Sequence, residues 1–496
     1  MKKAKCLLAV GLVAVLLTAC GGSNGANGDN ERENNVTPPS NGSNYSETTE
    51  ASPYDFTETL MDLEGRVITL LAIDVRNHWD YDFDDIDRTP NETLRVMEIL
   101  REIESDYNTE IELFWHEPPG LLALIQQNRI AGDAPFDLFE LNLSDFTVNT
   151  LWSQGLVMPV NHPAINDIIM PLENPWKATE FTTFGDTQWA VHFKPFNTPT
   201  VLRDVLIFNE TLRSRFGLPV FYDMVRERTW DWNNFENILS EIVTASNGQV
   251  FPVMYWHESS ITPIFIASNN GTIVETGSGG LTFVGDVNDN ALAAMNFIRS
   301  MAEREFFHPS APRHAHFATE HVGGVMARGE ALFLFGEYAT MKNLTRQALG
   351  YENDFTFGIL PPPIGPNGTN FTAVITSEML YHVMADIERP YQAAAILVAI
   401  ANRTAQRTYR VVDHERRYSL QSEASAEMLE ILLNNITVDV SRIHGGSRSA
   451  GGQGIVGAGL RILRLEHTPV QAMQYIGSQV QTWFDALNDL DISDTY

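Results

Sequence analysis

Gly65-Arg66-Val67-Ile68-Thr69-Leu70-Leu71-Ala72-Ile73 is a β-rich apolar run with no alternation of polar residues, the pattern of a parallel strand buried on both faces. An acidic loop follows. Leu94, Met97, Leu100, Ile103 and Tyr107 then recur at helical spacing between Thr93 and Asn108, and Glu110-Ile111-Glu112-Leu113-Phe114 returns as a strand. Leu121 to Ile130 predicts a second helix, closed by Ala131-Gly132-Asp133, and Phe136-Asp137-Leu138-Phe139-Glu140 a third strand. Strand, helix, strand, helix, strand predicts an α/β fold around a parallel sheet, whose ligand crevice lies beyond the carboxyl ends of the strands.

Upstream, Met1-Lys2-Lys3-Ala4-Lys5 is a basic segment, and Leu7 to Leu17 an apolar run too short to span a bilayer. Both suit a secretory signal. Leu17-Thr18-Ala19-Cys20 resembles the lipobox of bacterial lipoproteins, which implies a signal peptide over 1–19 and lipidation of Cys20. Residues 20–53 are rich in Gly, Asn, Ser, Thr and Glu, so they bury too little apolar surface to offset their ordering entropy and are expected to form a flexible stalk.

The remaining chain is long enough for a large core. The sequence has 496 residues, 44% of them hydrophobic, and two or three domains is the length expectation. Its only cysteines are Cys6 and Cys20, so the body beyond the stalk has no thiol for a disulfide, a thiolate metal site or a cysteine nucleophile. The net charge is −30, and removal of Lys2, Lys3 and Lys5 with the signal makes it −33. Nucleic acid and anionic lipid surfaces need a basic footprint and are disfavoured.

Downstream blocks supply a resemblance. Pro135-Phe136-Asp137-Leu138 and Gly155-Leu156-Val157-Met158-Pro159-Val160 follow the first helices, and Val205-Leu206-Ile207-Phe208-Asn209-Glu210, Thr229-Trp230-Asp231, Gly329-Glu330-Ala331-Leu332-Phe333 and Phe357-Gly358-Ile359-Leu360-Pro361-Pro362 come in turn. From about Leu60 to Leu487 this ordered set resembles the extracellular solute-binding proteins of ABC importers, in their sugar-binding branch. The resemblance implies a periplasmic-binding-protein-like fold of two discontinuous lobes with a hinge and a central cleft, expected at 60–198 plus 337–378 and at 199–336 plus 379–496. It also implies a lipid-anchored monomer on the outer face of the cell membrane, with the Gram-positive surface favoured by the long stalk. Such a protein captures a solute by hinge closure and delivers it to ABC permease subunits.

A sugar site pairs aromatic platforms with carboxylate and amide acceptors. The loops after the first strands offer Trp79 and Asp80, beside Asn77 and His78, and then Glu140, Asn142 and Asp145, while Trp189 and His192 precede the first crossover. Tyr255-Trp256-His257-Glu258 falls where the resemblance places a ligand carboxylate, which makes Glu258 the best single transfer with Trp256 beside it. Glu337 and Tyr338 fall near a ligand-stacking Trp of that family, where this sequence has no Trp. For every aromatic here the alternative is core packing. Trp230 and Trp232 are expected to pack, on a helix capped by Thr229, and Asp286-Val287-Asn288-Asp289 to cap another.

Other constellations are weaker. Asp80, Asp82, Asp84, Asp85 and Asp87 suggest a calcium loop, but EF-hand spacing from Asp80 puts Asp85 where Gly is required and Asn91 where Glu is required. His314, His316 and His321 could approach one metal, and an exposed helix boundary explains them equally well. The Gly-rich run from Gly445 to Gly459 lacks the lysine of a phosphate loop. No metal or cofactor is therefore expected, and neutral oligosaccharide is the first expectation for the ligand. The competing readings are a lipoprotein that binds polysaccharide or peptide in sensing or adhesion, and a glycosidase using a carboxylate pair such as Glu140 and Glu258.

Overall fold

The computed structural model describes residues 58–72, 91–115, 120–131, 136–142, 151–152, 154–169, 182–184, 187–191, 205–255, 258–277, 280–309, 324–336, 338, 355–375, 379–407, 420–438 and 454–488. Its architecture is two mixed sheets with separate apolar cores. The first sheet has the order β2-β1-β3-β14-β4, with β1 at Arg66–Ala72, β2 at Thr109–Trp115, β3 at Leu138–Asn142, β4 at Val157–Met158 and β14 at Met379–Met384. The second has the order β12-β7-β11-β8, with β7 at Val205–Asn209, β8 at Phe251–Tyr255, β11 at Ala331–Gly336 and β12 at Phe357–Leu360. Three two-stranded ribbons complete the set: β5 at Thr183–Phe184 with β6 at Thr187–Gln188, β9 at Val274–Gly277 with β10 at Gly280–Phe283, and β13 at Ala373–Ile375 with β15 at Ile436–Val438.

Strand β1 runs parallel to both β2 and β3, as the sequence predicts. The helices Asn91–Tyr107 and Leu121–Ala131 make the intervening connections, and Ile99, Leu100, Ile103 and Tyr107 are buried along one face of the former. In the second sheet every residue of β7 and β11 is buried, because apolar layers cover both faces. Trp230 and Trp232 belong to that core, as expected. Two caps show how local chemistry fixes entry angles. Asn288 accepts from the Ala291 N–H at 2.9 Å and opens the helix Asp289–Glu303. The helix at 232–245 is capped by Asp231, which accepts from Asn234 N–H at 2.8 Å, and not by Thr229, two residues earlier. A carboxylate at the N-cap also meets the positive end of the helix dipole, an advantage threonine lacks.

Strand pairing corrects the expected lobe boundaries. Phe357–Leu360 pairs antiparallel with β7, so this segment, placed with the first lobe by the 337–378 boundary, belongs to the second sheet. Met379–Met384 pairs antiparallel with β3, and the helix Pro390–Arg407 packs into the first core, although the sequence reading assigned 379–496 wholly to the second lobe. The chain thus returns to the first sheet after Ile375 and is back in the second core by Ala426. An apolar strand carries no mark of which sheet will receive it.

Antiparallel pairing of β14 on β3 sets Tyr381 opposite Glu140 and His382 opposite Phe139. His382 is fully buried, stacks on Phe139 at 4.8 Å and accepts a hydrogen bond from Trp152 Nε1 at 3.1 Å. Burial pushes its imidazole down to about 3. The unfolded chain therefore binds a proton below its ordinary value of 6.5 that the folded core refuses. This contribution to stability is complete above pH 6.5 and is lost progressively as pH falls toward 3. Between pH 7 and pH 4 the natural protein should lose ~3 kcal/mol more than His382→Gln, measured by chemical unfolding at the two pH values.

Candidate functional site

Parallel strands send their carboxyl ends to one edge, and that edge is where open α/β sheets bind ligands. In the first sheet the ends are Ala72, Trp115 and Asn142, and in the second, where β8 and β11 run parallel, they are Tyr255 and Gly336. Every candidate except Trp189 lies in sequence within or after one of these strands. In sequence Trp79 and Asp80 follow β1, Glu140 lies in the middle of β3 and Asn142 ends it with Asp145 beyond, Trp256 and Glu258 follow β8, and Glu337 and Tyr338 follow β11. Asn142 is the last residue of its strand, and Glu258 the first of the helix Glu258–Ser268. Trp79, Asp80, Asp145, Trp256 and Glu337 lie outside the described residues, as do Cys20, the stalk, the acidic run Asp80 to Asp87 and the three histidines from His314 to His321.

Glu140 is the candidate whose setting is most fully defined. It is 7% exposed, and its Oε2 accepts from the Tyr381 hydroxyl at 2.9 Å. That hydroxyl fixes the carboxylate on β3 from the neighbouring strand. Tyr381 escaped the sequence reading because nothing local to Met379–Met384 says that it lies against β3. Its signal is the register Tyr381↔Glu140, which is visible only once the strands are paired.

Two aromatic candidates are corrected. Trp189 is 2% exposed, and its indole stacks on Trp152 at 6.2 Å and 14° inside the first core. It has no face to offer a sugar. Tyr338 is 0% exposed and belongs to the second core, so it is no stacking platform either. In both cases a large apolar ring beside a strand end is drawn into the layer that covers the sheet. Tyr255, the last residue of β8, is similarly buried against Phe307 at 5.4 Å. Among the described residues no group of three or more His, Cys, Asp or Glu side chains is placed to hold a metal.

No protein-family model matches the chain, and no curated protein does. Solved structures do match. The GacH receptor of Streptomyces glaucescens, determined with and without acarbose, is 13% identical over 85% of this chain and 99% of its own, with a TM-score of 0.54. The cyclic α-maltosyl-1,6-maltose binding protein of Arthrobacter globiformis is 11% identical over 86% and 99%, with a TM-score of 0.56. An ABC substrate-binding protein of Listeria monocytogenes, in complex with cycloalternan, is 12% identical over 84% and 98%, at 0.53. At such identities the likeness establishes the fold: this chain has the two-lobe α/β architecture of periplasmic binding proteins, and these neighbours are binding proteins rather than enzymes.

The core placement of Trp189 has a direct consequence. Trp189→Ala should lower the stability of the body by about 3–5 kcal/mol through the cavity it leaves against Trp152. A thermal midpoint that stays at the natural value would return Trp189 to the list of ligand contacts.

Proposed function

We propose that this protein is a membrane-anchored extracellular solute-binding protein that captures a neutral oligosaccharide between its lobes and delivers it to an ABC permease. The observation that carries the reading is the distribution of candidate groups. Asn142 ends a parallel strand of one sheet and Glu258 opens the helix after a parallel strand of the other, with the remaining candidates close by in sequence, within a fold whose solved examples include proteins bound to acarbose and to cycloalternan. In such a fold the two edges border one cleft, and closure about the crossovers traps what lies between them. The chain passes from one sheet to the other between Val191 and Val205, Ile375 and Met379, and Arg407 and Leu420, and the reading assigns the hinge to these three passages.

Within this reading Glu258 and Trp256 form the second-lobe half of the site, and Asn142 with Asp145, Trp79 and Asp80 the first-lobe half. Glu140, held by Tyr381, supports β3. Lipidation at Cys20 ties the protein to the outer face of the cell membrane, and the stalk gives the body reach, an arrangement suited to a Gram-positive surface. A monomer suffices, because one chain supplies both halves of the cleft. No bound metal or cofactor has a role in trapping.

A thermal-shift panel on the compact unit Ala51–Tyr496 tests the ligand class. Neutral mono- and oligosaccharides, peptides, uronic-acid oligomers and calcium are compared, since a ligand that binds only the folded state raises the midpoint by mass action, by about 2.7 kcal/mol at a hundredfold excess over Kd. A neutral saccharide should raise it, and Glu258→Ala and Trp256→Ala should each abolish the rise. A rise with peptides alone would discard the sugar while keeping the trap, and hydrolysis of the bound sugar would discard the trap. Cys20→Ala expressed in a bacterial host should move the protein from the membrane fraction to the soluble one; retention in the membrane would contradict the anchor.

A further inference from the structure

The second lobe carries a groove of about 520 Å³ that no part of the cleft reading uses, within the ~300–1,000 Å³ range of small-molecule sites. It lies between the last turns of the helix Glu258–Ser268, the loop after it, the segment Thr369–Val374 and Asn435–Thr437. It is therefore at the other end of that helix from Glu258, an 11-residue element about 16 Å long. The two halves of its wall come from the β13–β15 ribbon. Val374 pairs with Thr437, and the Ala373 N–H donates to Asn435 O at 3.0 Å. Alternation along each strand then sets Thr372 and Val374 beside Asn435 and Thr437.

The chemistry of this wall is specific. In a chain that is 19% charged, no charged side chain among the described residues lines the groove. Its polar groups are the amides of Asn270, Asn370 and Asn435 and the hydroxyls of Thr272, Thr369, Thr372 and Thr437, between apolar patches of Ile266, Ile273 and Val374. Part of the wall is braced: Asn270 Nδ2 donates to Asn367 O and Asn435 Nδ2 to Ile431 O, each at 2.8 Å. Among the described residues the side chains of Asn370 and Thr437 have no hydrogen-bond partner, which leaves an amide and a hydroxyl available there. An ion finds no countercharge in such a wall, and a purely apolar ligand would strip water from seven polar side chains without replacing it. Alternating hydroxyls and C–H faces satisfy both kinds of surface.

We propose that this groove is a second ligand site, for a neutral polyhydroxylated molecule, separate from the interlobe cleft and independent of whether the cleft binds sugar. Its place is mechanically exposed, because β13 ends at Ile375 and β14, in the other sheet, begins at Met379, so the strand that forms one wall runs straight into a crossover.

Hydrogen exchange on the full chain in a sugar-free detergent tests it, with trehalose, maltotriose and raffinose as probes and glucuronate as the charged control. The expected result is slowed exchange at 369–374 and 435–437 with at least one neutral probe and none with glucuronate. Thr437→Trp, which fills the groove, should abolish that protection. Asn370→Ala removes a side chain without internal bonds, so it should fold normally and weaken the same protection roughly five- to tenfold in probe concentration. Absence of protection in these segments with every probe, or protection unchanged in both variants, would overturn the site. Protection at 139–142 and 255–258 reports the cleft separately, so either site can fail without the other.

Discussion

One buried carboxylate holds the first lobe's separate pieces together. Asp137, just before β3, accepts from the Thr69 N–H at 2.9 Å and the Thr69 hydroxyl at 3.0 Å, which fixes β1 to β3. Its other oxygen faces the Arg66 guanidinium, and that same guanidinium donates to Gln392 Oε1 at 2.8 Å and to Arg389 O at 3.1 Å, at the start of the helix that returns from the second lobe. A charge pair this enclosed is tolerated when further hydrogen bonds share its load, and here Thr69 serves the carboxylate and Gln392 and Arg389 the guanidinium. Three stretches of chain, the first and last more than 300 residues apart, meet at one ionic node. The node bonds Asp137, just before β3, to Thr69 of β1 and so fixes how β3 lies along β1.

The second lobe is held by a different means. Its central strands are apolar on both faces, and a continuous set of aromatic rings, Phe208, Phe221, Trp230, Phe235 and Phe333, fills the layer beside them. Trp230 is polar at one atom only, and its Nε1 donates to Pro361 O at 2.8 Å, which draws the chain after β12 onto the same core. Rigid lobes joined by a few crossing segments are the mechanical precondition for a hinge. The ionic node in one lobe and the aromatic layer in the other supply that rigidity.

Local physics made much of this legible in the sequence. The strands β1, β2 and β3 follow from apolar runs, the helices between them from 3.6-residue periodicity, and the Asn288 cap from its short side chain ahead of Ala291. What escaped was non-local. Phe357–Leu360 and Met379–Met384 are both short apolar strands, and only their partners, β7 and β3, decide the lobe. Trp189 and Tyr338 read as platforms because a sequence shows a ring and a strand end, while burial depends on what packs behind, Trp152 in the first instance. Glu140 was legible as a carboxylate on β3, and Tyr381 as its partner was not. Half of the candidate site is a matter of residue type and place in the chain. The other half is a matter of which strand comes to lie alongside.

The central claim is that a ligand closes two lobes about three crossing segments. Small-angle X-ray scattering of the unit Ala51–Tyr496 measures it directly, with and without the saccharide that raises its thermal midpoint most. The account predicts that the radius of gyration falls on saturation and stays at the unliganded value in Glu258→Ala under the same conditions. Saturable binding with no change in the radius of gyration would contradict it.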